Sequence, residues 1–169
     1  MKIYTKRGDK GQTDLLTKRV KKTDLRISVN GAIDETMATV LMAKHYAQEE
    51  SIKTDLDIIH EDLFQLAYEI ALSNEDKYIT KPERVTWIES RIDFYDQILK
   101  PLTKFIKLDQ TKCATWLNMV RVTARRAERE LVLLSEQQKL NDDSLKYMNR
   151  LSDYMFTLGR YVDEVLKGE

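Results

Sequence analysis

Four arginines and a glutamate fall within nine residues of this chain: Arg121, Arg125, Arg126 and Arg129, with Glu128 among them. Guanidinium groups present a planar fork of donors that suits phosphate or carboxylate oxygens, and a carboxylate beside them can orient an arginine or accept from a hydroxyl. The apolar residues continue through the run. Leu117, Val120, Ala124, Ala127, Leu131 and Leu134 recur at spacings of three and four, the seam of a helix buried in a bundle. Arg121, Arg125 and Glu128 each follow a seam residue by one position, so they form a charged row beside the stripe. On spacing alone such a row serves equally as a salt-bridged rim or as the wall of an anion site.

Four further features could act with it. Gly8 and Gly11 let the chain turn and expose N–H groups to an anion, with Lys10, Thr13, Arg19 and Lys22 supplying charge and a hydroxyl nearby. The Gly-Lys-Ser/Thr ending of a P-loop is absent. Asp34 directly follows the apolar Ile33 and needs a cationic partner, for which Arg121 is a candidate within the chain or across a subunit boundary. Asn149 and Asp153 lie one turn apart in Met148-Asn149-Arg150-Leu151-Ser152-Asp153, where an amide could hold a nucleoside or simply satisfy a helix contact. Phe105 could wall a flat apolar ligand or pack beneath its own loop.

The elements that must position these residues are helices. With 169 residues, only five Gly and two Pro, the chain reads as one all-α domain: an irregular arm over 1–24 and a five-helix antiparallel bundle over 25–169. Met1–Thr5 is mildly β-like. Leu25, Val29, Ile33, Met37 and Leu41 mark a first helix to about Ala47. A second runs from about Ile52 to Leu72, broken by Ser73-Asn74-Glu75-Asp76. Thr80 and Glu83 form a capping box for a third, which stops before Pro101. Asp109 or Thr111 caps the fourth, and Asn141 or Asp142 the fifth, whose seam runs from Met148 to Val165.

Lys plus Arg equals Asp plus Glu at 28 each, so no global charge draws the chain to nucleic acid or an anionic membrane. One cysteine and two histidines without metal-ligand spacing argue against a metal held by side chains alone, while leaving room for a metal that arrives with a nucleotide. No signal region or long apolar span is visible, which points to the cytoplasm.

Several stretches together resemble the propanediol-utilisation type of ATP:cob(I)alamin adenosyltransferase. They are Thr5-x-x-Gly8-Asp9-x-Gly11-x-Thr13; Arg19-Val20-x-Lys22-x-Asp24-x-Arg26-Ile27; Gly31-x-Ile33-Asp34-Glu35; the arginine run; and Leu145-x-Tyr147-x-Asn149-Arg150-Leu151-Ser152-Asp153-x-x-Phe156-x-Leu158-x-Arg160-Tyr161. The resemblance implies a homotrimer with sites at subunit boundaries. Its substrates would be ATP, with Mg²⁺, and cob(I)alamin. Thr5, Gly8, Asp9, Lys10, Gly11, Thr13, Arg19 and Lys22 would hold the nucleotide from the arm, and Arg125, Glu128 and Asn149 would complete its site. Asp34 and Arg121 would pair across the boundary, and Phe105 would contact the corrinoid. A flavoprotein reductant and an adenosylcobalamin-dependent enzyme would be its partners. The chain departs from the family pattern at Arg7, Thr17, Lys18, Ser28, Asn30, Met37, Asn118 and the turn Leu108-Asp109-Gln110. Ser28 and Met37 keep a second reading open, a non-catalytic carrier or sensor of ATP or corrinoid on the same fold.

Overall fold

A computed structural model describes residues 2–16, 18–72 and 78–166. Two short strands, β1 (Gln12–Asp14) and β2 (Arg19–Lys21), precede five helices: α1 (Leu25–Tyr46), α2 (Glu50–Leu72), α3 (Pro82–Asp96), α4 (Lys112–Ser135) and α5 (Asp142–Glu164). The arm holds its strands at 12–14 and 19–21, not at the β-like 2–5. They pair antiparallel, Thr13 opposite Val20. Gly11 turns the chain into the hairpin at φ +74°, a conformation that suits glycine.

The seam of α4 is buried at every expected position, and α2 buries Leu56, Ile59, Leu63, Leu66 and Ile70. In α1 the expected Leu41 is 47% exposed, while Val40 and Ala43 are buried. A strict spacing of four drifts around a helix of 3.6 residues per turn, and α1 follows the shorter period. Val165 is likewise exposed, one residue beyond the end of α5. Asp24, Thr111 and Asn141 cap α1, α4 and α5 through side-chain acceptors. The capping box at Thr80 does not form. Lys81 is the N-cap of α3, and α3 ends at Asp96. The backbone N–H of Thr80 is instead taken by Glu69, at 2.9 Å, and the same carboxylate accepts from Asn141 and Ser144. The break expected at 73–76 lies outside the described residues.

The helices pack in the order α2–α1–α4–α5–α3. The ring closes through a polar ladder. Arg84 forks onto Asp62, which also accepts from the Tyr147 hydroxyl at 2.7 Å. Seven residues along each helix the set recurs: Arg91 on Asp55, and Tyr154 on Asp55 at 2.7 Å. Along α2 the partners on both α3 and α5 descend as the aspartates rise. Hence α3 and α5 run parallel to each other and antiparallel to α2, since a closed ring of five cannot alternate throughout. Burial and then Asp62 push the Tyr147 phenol well above its ordinary range; burial and then Asp55 do the same to Tyr154.

Candidate functional site

Helix α4 lies between α1 and α5 and carries different chemistry on its two flanks. On the α5 flank, the Asn149 Nδ2 donates to Glu128 Oε1 at 2.7 Å. The amide is oriented from behind: Arg150 Nη1 donates to Asn149 Oδ1 at 2.6 Å, and Arg150 Nε donates to Glu89 on α3 at 3.0 Å. The Asn149 oxygen therefore faces Arg150, and its NH₂ faces Glu128. Arg125, one turn before Arg129 and exposed, has no partner among the described residues. Arg121 is half-buried and donates to Asn118 at 3.0 Å.

On the α1 flank, Thr39 and Thr123 hydroxyls meet at 3.1 Å, and Glu35 pairs with Arg126. Lys22 from the arm joins Ile27, Ser28, Gly31, Ala32, Arg126 and Glu130 around a depression of ≈ 410 Å³. The Lys22 ammonium lies close against Gly8; a Cβ built on Gly8 would stand 3.3 Å from Nζ. Gly8 thus admits the lysine to the loop backbone. Gly11 N–H donates to the Gly8 carbonyl at 3.1 Å, and Lys22 N–H to the Gly11 carbonyl at 2.9 Å. Arg19 is held inside the arm, on Asp14 at 2.8 Å, on Gln12 at 3.2 Å and on the Arg7 carbonyl. Thr5, Asp9 and Lys10 are exposed, and Thr13 is half-buried in β1.

The chain therefore brings together Gly8, Gly11 and Lys22 in one group, and Glu128 and Asn149 in another, on opposite flanks of α4. Asp34 is exposed and makes no ion pair within the chain among the described residues; its neighbour Glu35 pairs with Arg126. Phe105 stands free at 106% exposure on the connector, beside a depression of ≈ 510 Å³ lined by Leu102, Thr103, Lys104, Ile106 and Phe156. From the sequence, Arg126 and Arg150 carried no assigned role and Glu130 went unremarked. Arg150 adjoins Asn149 in the same motif, and its neighbourhood was the available signal.

The bundle thus carries a basic glycine arm on one flank of α4 and an arginine–glutamate–amide group on the other. The family model of cobalamin adenosyltransferase matches residues 3–162, and the chain belongs to that family. A corrinoid adenosyltransferase of Bacillus subtilis is 39% identical over 96% of this chain and 87% of its own length. Corrinoid adenosyltransferase PduO of Salmonella typhimurium is 36% identical over 96% of this chain, which spans 50% of that relative. Among solved structures, a phenylalanine-to-alanine variant of a PduO-type ATP:corrinoid adenosyltransferase from Lactobacillus reuteri, complexed with cobalamin and ATP, superimposes with a TM-score of 0.88 at 34% identity. The match covers 96% of this chain and 93% of that one.

Proposed function

We propose that this chain transfers the 5′-deoxyadenosyl group of ATP to the cobalt of reduced cob(I)alamin, giving adenosylcobalamin and triphosphate. Cobalt(I) supplies the electron pair, the Co–C5′ bond forms as the C5′–O bond breaks, and that bonding pair leaves on triphosphate. No side-chain base is required. The protein's part is to align the two substrates, to stabilise a highly charged leaving group and to keep water out. Thr5, Gly8, Asp9, Lys10, Gly11, Thr13, Arg19 and Lys22 would hold the nucleotide from the arm, with Arg19 acting through the latch it forms on Asp14. Arg125 would meet phosphate, and the Glu128–Asn149 pair would meet the nucleoside. Phe105 would stand against the corrinoid. Mg²⁺ would be carried in by the triphosphate.

The observation that carries the reading is the 2.7 Å Glu128–Asn149 contact beside Arg125, which has no partner among the described residues, in a chain of this family. The same geometry supports assembly. The arm lies on the α1 flank of α4 and the Glu128–Asn149 pair on the α5 flank, so a complete site calls for the arm of one copy against the α4–α5 face of another. A homotrimer satisfies this, and Asp34, which has no ion-pair partner within its own chain among the described residues, would then meet Arg121 of a neighbour. No helix among the described residues is long and apolar enough to cross a membrane. Placement in the cytoplasm, a flavoprotein reductant and delivery to an adenosylcobalamin-dependent enzyme complete the proposal.

The test is spectroscopic: mix the protein with ATP, Mg²⁺ and chemically reduced cobalamin, and follow the absorbance of Co–C bond formation. The expected result is conversion with multiple turnovers. Binding of both substrates by calorimetry without conversion would leave a carrier and refute the transferase.

A further inference from the structure

The connector from 97 to 111 carries Phe105, yet 101–107 form no helix or strand. Its two ends are tied to the same stretch of α5. Arg160, 5% exposed, donates through Nη2 to the Lys100 carbonyl at 2.7 Å and is itself held by Glu164 at 3.0 Å. Asp163, 2% exposed, accepts from the Gln110 and Thr111 backbone N–H groups at 3.3 and 3.0 Å and from the Thr111 hydroxyl at 3.0 Å. Between these ties Leu108 seats on Gly159 so closely that an added Cβ would lie 2.8 Å from Leu108 Cδ1. Further back on α5, Phe156 lines the depression beside Phe105, and Asn149 holds Glu128.

Asn149, Phe156, Arg160 and Asp163 follow one another at spacings of seven, four and three. On a helix of 3.6 residues per turn these positions fall within about 60° of one another, and Asn149 and Phe156 are about 10 Å apart along the axis. One stripe of one rigid helix therefore holds both the nucleotide-side amide and both anchors of the loop that bears Phe105. Arg160 is strongly placed for this. A buried guanidinium needs its donors satisfied, and here they close on a carboxylate and on a loop carbonyl.

We infer that Arg160 and Asp163 are positioning residues for the transfer: they fix the Phe105 loop on α5 and so set the corrinoid's position relative to the nucleotide. The inference rests on the reading of Phe105 as the corrinoid wall. Neither side chain need touch a substrate. Their effect passes through the loop, and misplacement of an attacking centre by even an ångström is costly.

The test compares Arg160→Lys, Asp163→Asn, Gly159→Ala and Phe105→Ala in the full chain. Arg160→Lys keeps a charge for Glu164 but loses the fork, and Asp163→Asn keeps an acceptor but loses the charge. Gly159→Ala keeps both ties and the helix and displaces Leu108, so it survives a failure of the polar variants to fold. Two readouts go beyond stability: the separate KM values for corrinoid and ATP, and tryptic cleavage after Lys104 and Lys107 in the folded protein. We expect corrinoid KM and loop cleavage each to rise about tenfold or more in Arg160→Lys and Asp163→Asn, the scale of one lost hydrogen bond to a charged group, and to rise in Gly159→Ala through the displaced Leu108, with ATP KM within about twofold of the parent in all three clamp variants. An impaired Phe105→Ala beside clamp variants with unchanged corrinoid KM and cleavage overturns the positioning role alone. Equal rises in both KM values also overturn it, since they mark general loosening. A Phe105→Ala enzyme with unchanged corrinoid kinetics overturns the reading of Phe105, and the positioning role with it.

Discussion

Replacing Asn149 by Asp inverts the contact at the centre of the proposed site. The Asn149 amide donates to Glu128 at 2.7 Å. A carboxylate in its place sets two negative groups with charge centres about 4 Å apart, a repulsion of about 1 kcal/mol in water and about 4 kcal/mol at an effective dielectric of 20. Both residues are half-buried, so the penalty lies between these limits. The lost hydrogen bond adds about 1 kcal/mol. Arg150, 2.6 Å from the outer oxygen, returns about the same by gaining a charged acceptor. The net cost for Asn149→Asp is about 1–4 kcal/mol, or a fall in Tm of roughly 3–12 °C for a chain of this size. ATP affinity should fall about tenfold or more. Lowering the pH should narrow the difference from the parent, because two coupled carboxyls can share a proton. The double variant Glu128→Gln with Asn149→Asp restores one donor facing one acceptor and should recover most of the Tm. Thermal unfolding at pH 7 and pH 5, with ATP titration calorimetry, reads all of this. A single variant as stable as the parent at pH 7, or a double variant no better than the single, would refute the assigned amide orientation.

Other expectations follow from the same contacts. Arg125→Ala should leave Tm within about 2 °C, since an exposed helix position carries little stability, while lowering turnover at least a hundredfold as one charged contact to the leaving group is lost; near-normal rates remove it from the site. Asp62→Ala strands the buried Tyr147 hydroxyl and the Arg84 fork and should cost about 3–5 kcal/mol by denaturant unfolding. Tyr147 and Tyr154 keep their protons in the fold beyond the ordinary phenol value of 10.0. Their raised values stabilise the fold fully below about pH 10, and that contribution drains away as pH climbs above it towards the folded values. Tm should decline more steeply above that point, and less so in Tyr147→Phe; an unchanged alkaline slope in that variant would count against the phenol. Burial, with Asp163 adding its charge, pushes the Cys113 thiol up from 9.0 to about 11. Alkylation of Cys113 by iodoacetamide at pH 8 should therefore run about a hundredfold slower than that of a free thiol from the thiolate fraction alone; a rate near that of the unfolded chain would refute the buried placement.

Much of the fold was legible because helical burial is periodic. The seam of α4 from Leu117 to Leu134 needs only the 3.6-residue repeat, and Asn141 and Thr111 announce helix starts by their side-chain chemistry. Thr80 shows the limit of that chemistry. Its signature met every local rule, but Glu69, a turn from the end of α2, took its backbone N–H. The ladder left a trace at heptad spacing in Asp55 and Asp62, Arg84 and Arg91, Tyr147 and Tyr154, which gains meaning only once three helices are known to meet.

The site divides in the same way. By itself the sequence determined the chemical types: a glycine loop with Lys22, an arginine row beside a seam, and an amide on the last helix. Those properties belong to single elements. Tertiary structure decided the partners. Asp34 and Glu35 are adjacent in sequence but about 100° apart around α1, and packing against α4 brought Arg126 to Glu35. Packing also put the arm and the Glu128–Asn149 pair on opposite flanks of α4, and fastened the Phe105 loop to Arg160 and Asp163. A helix's own period fixes which way a residue faces, and only the neighbouring helices fix what it meets there.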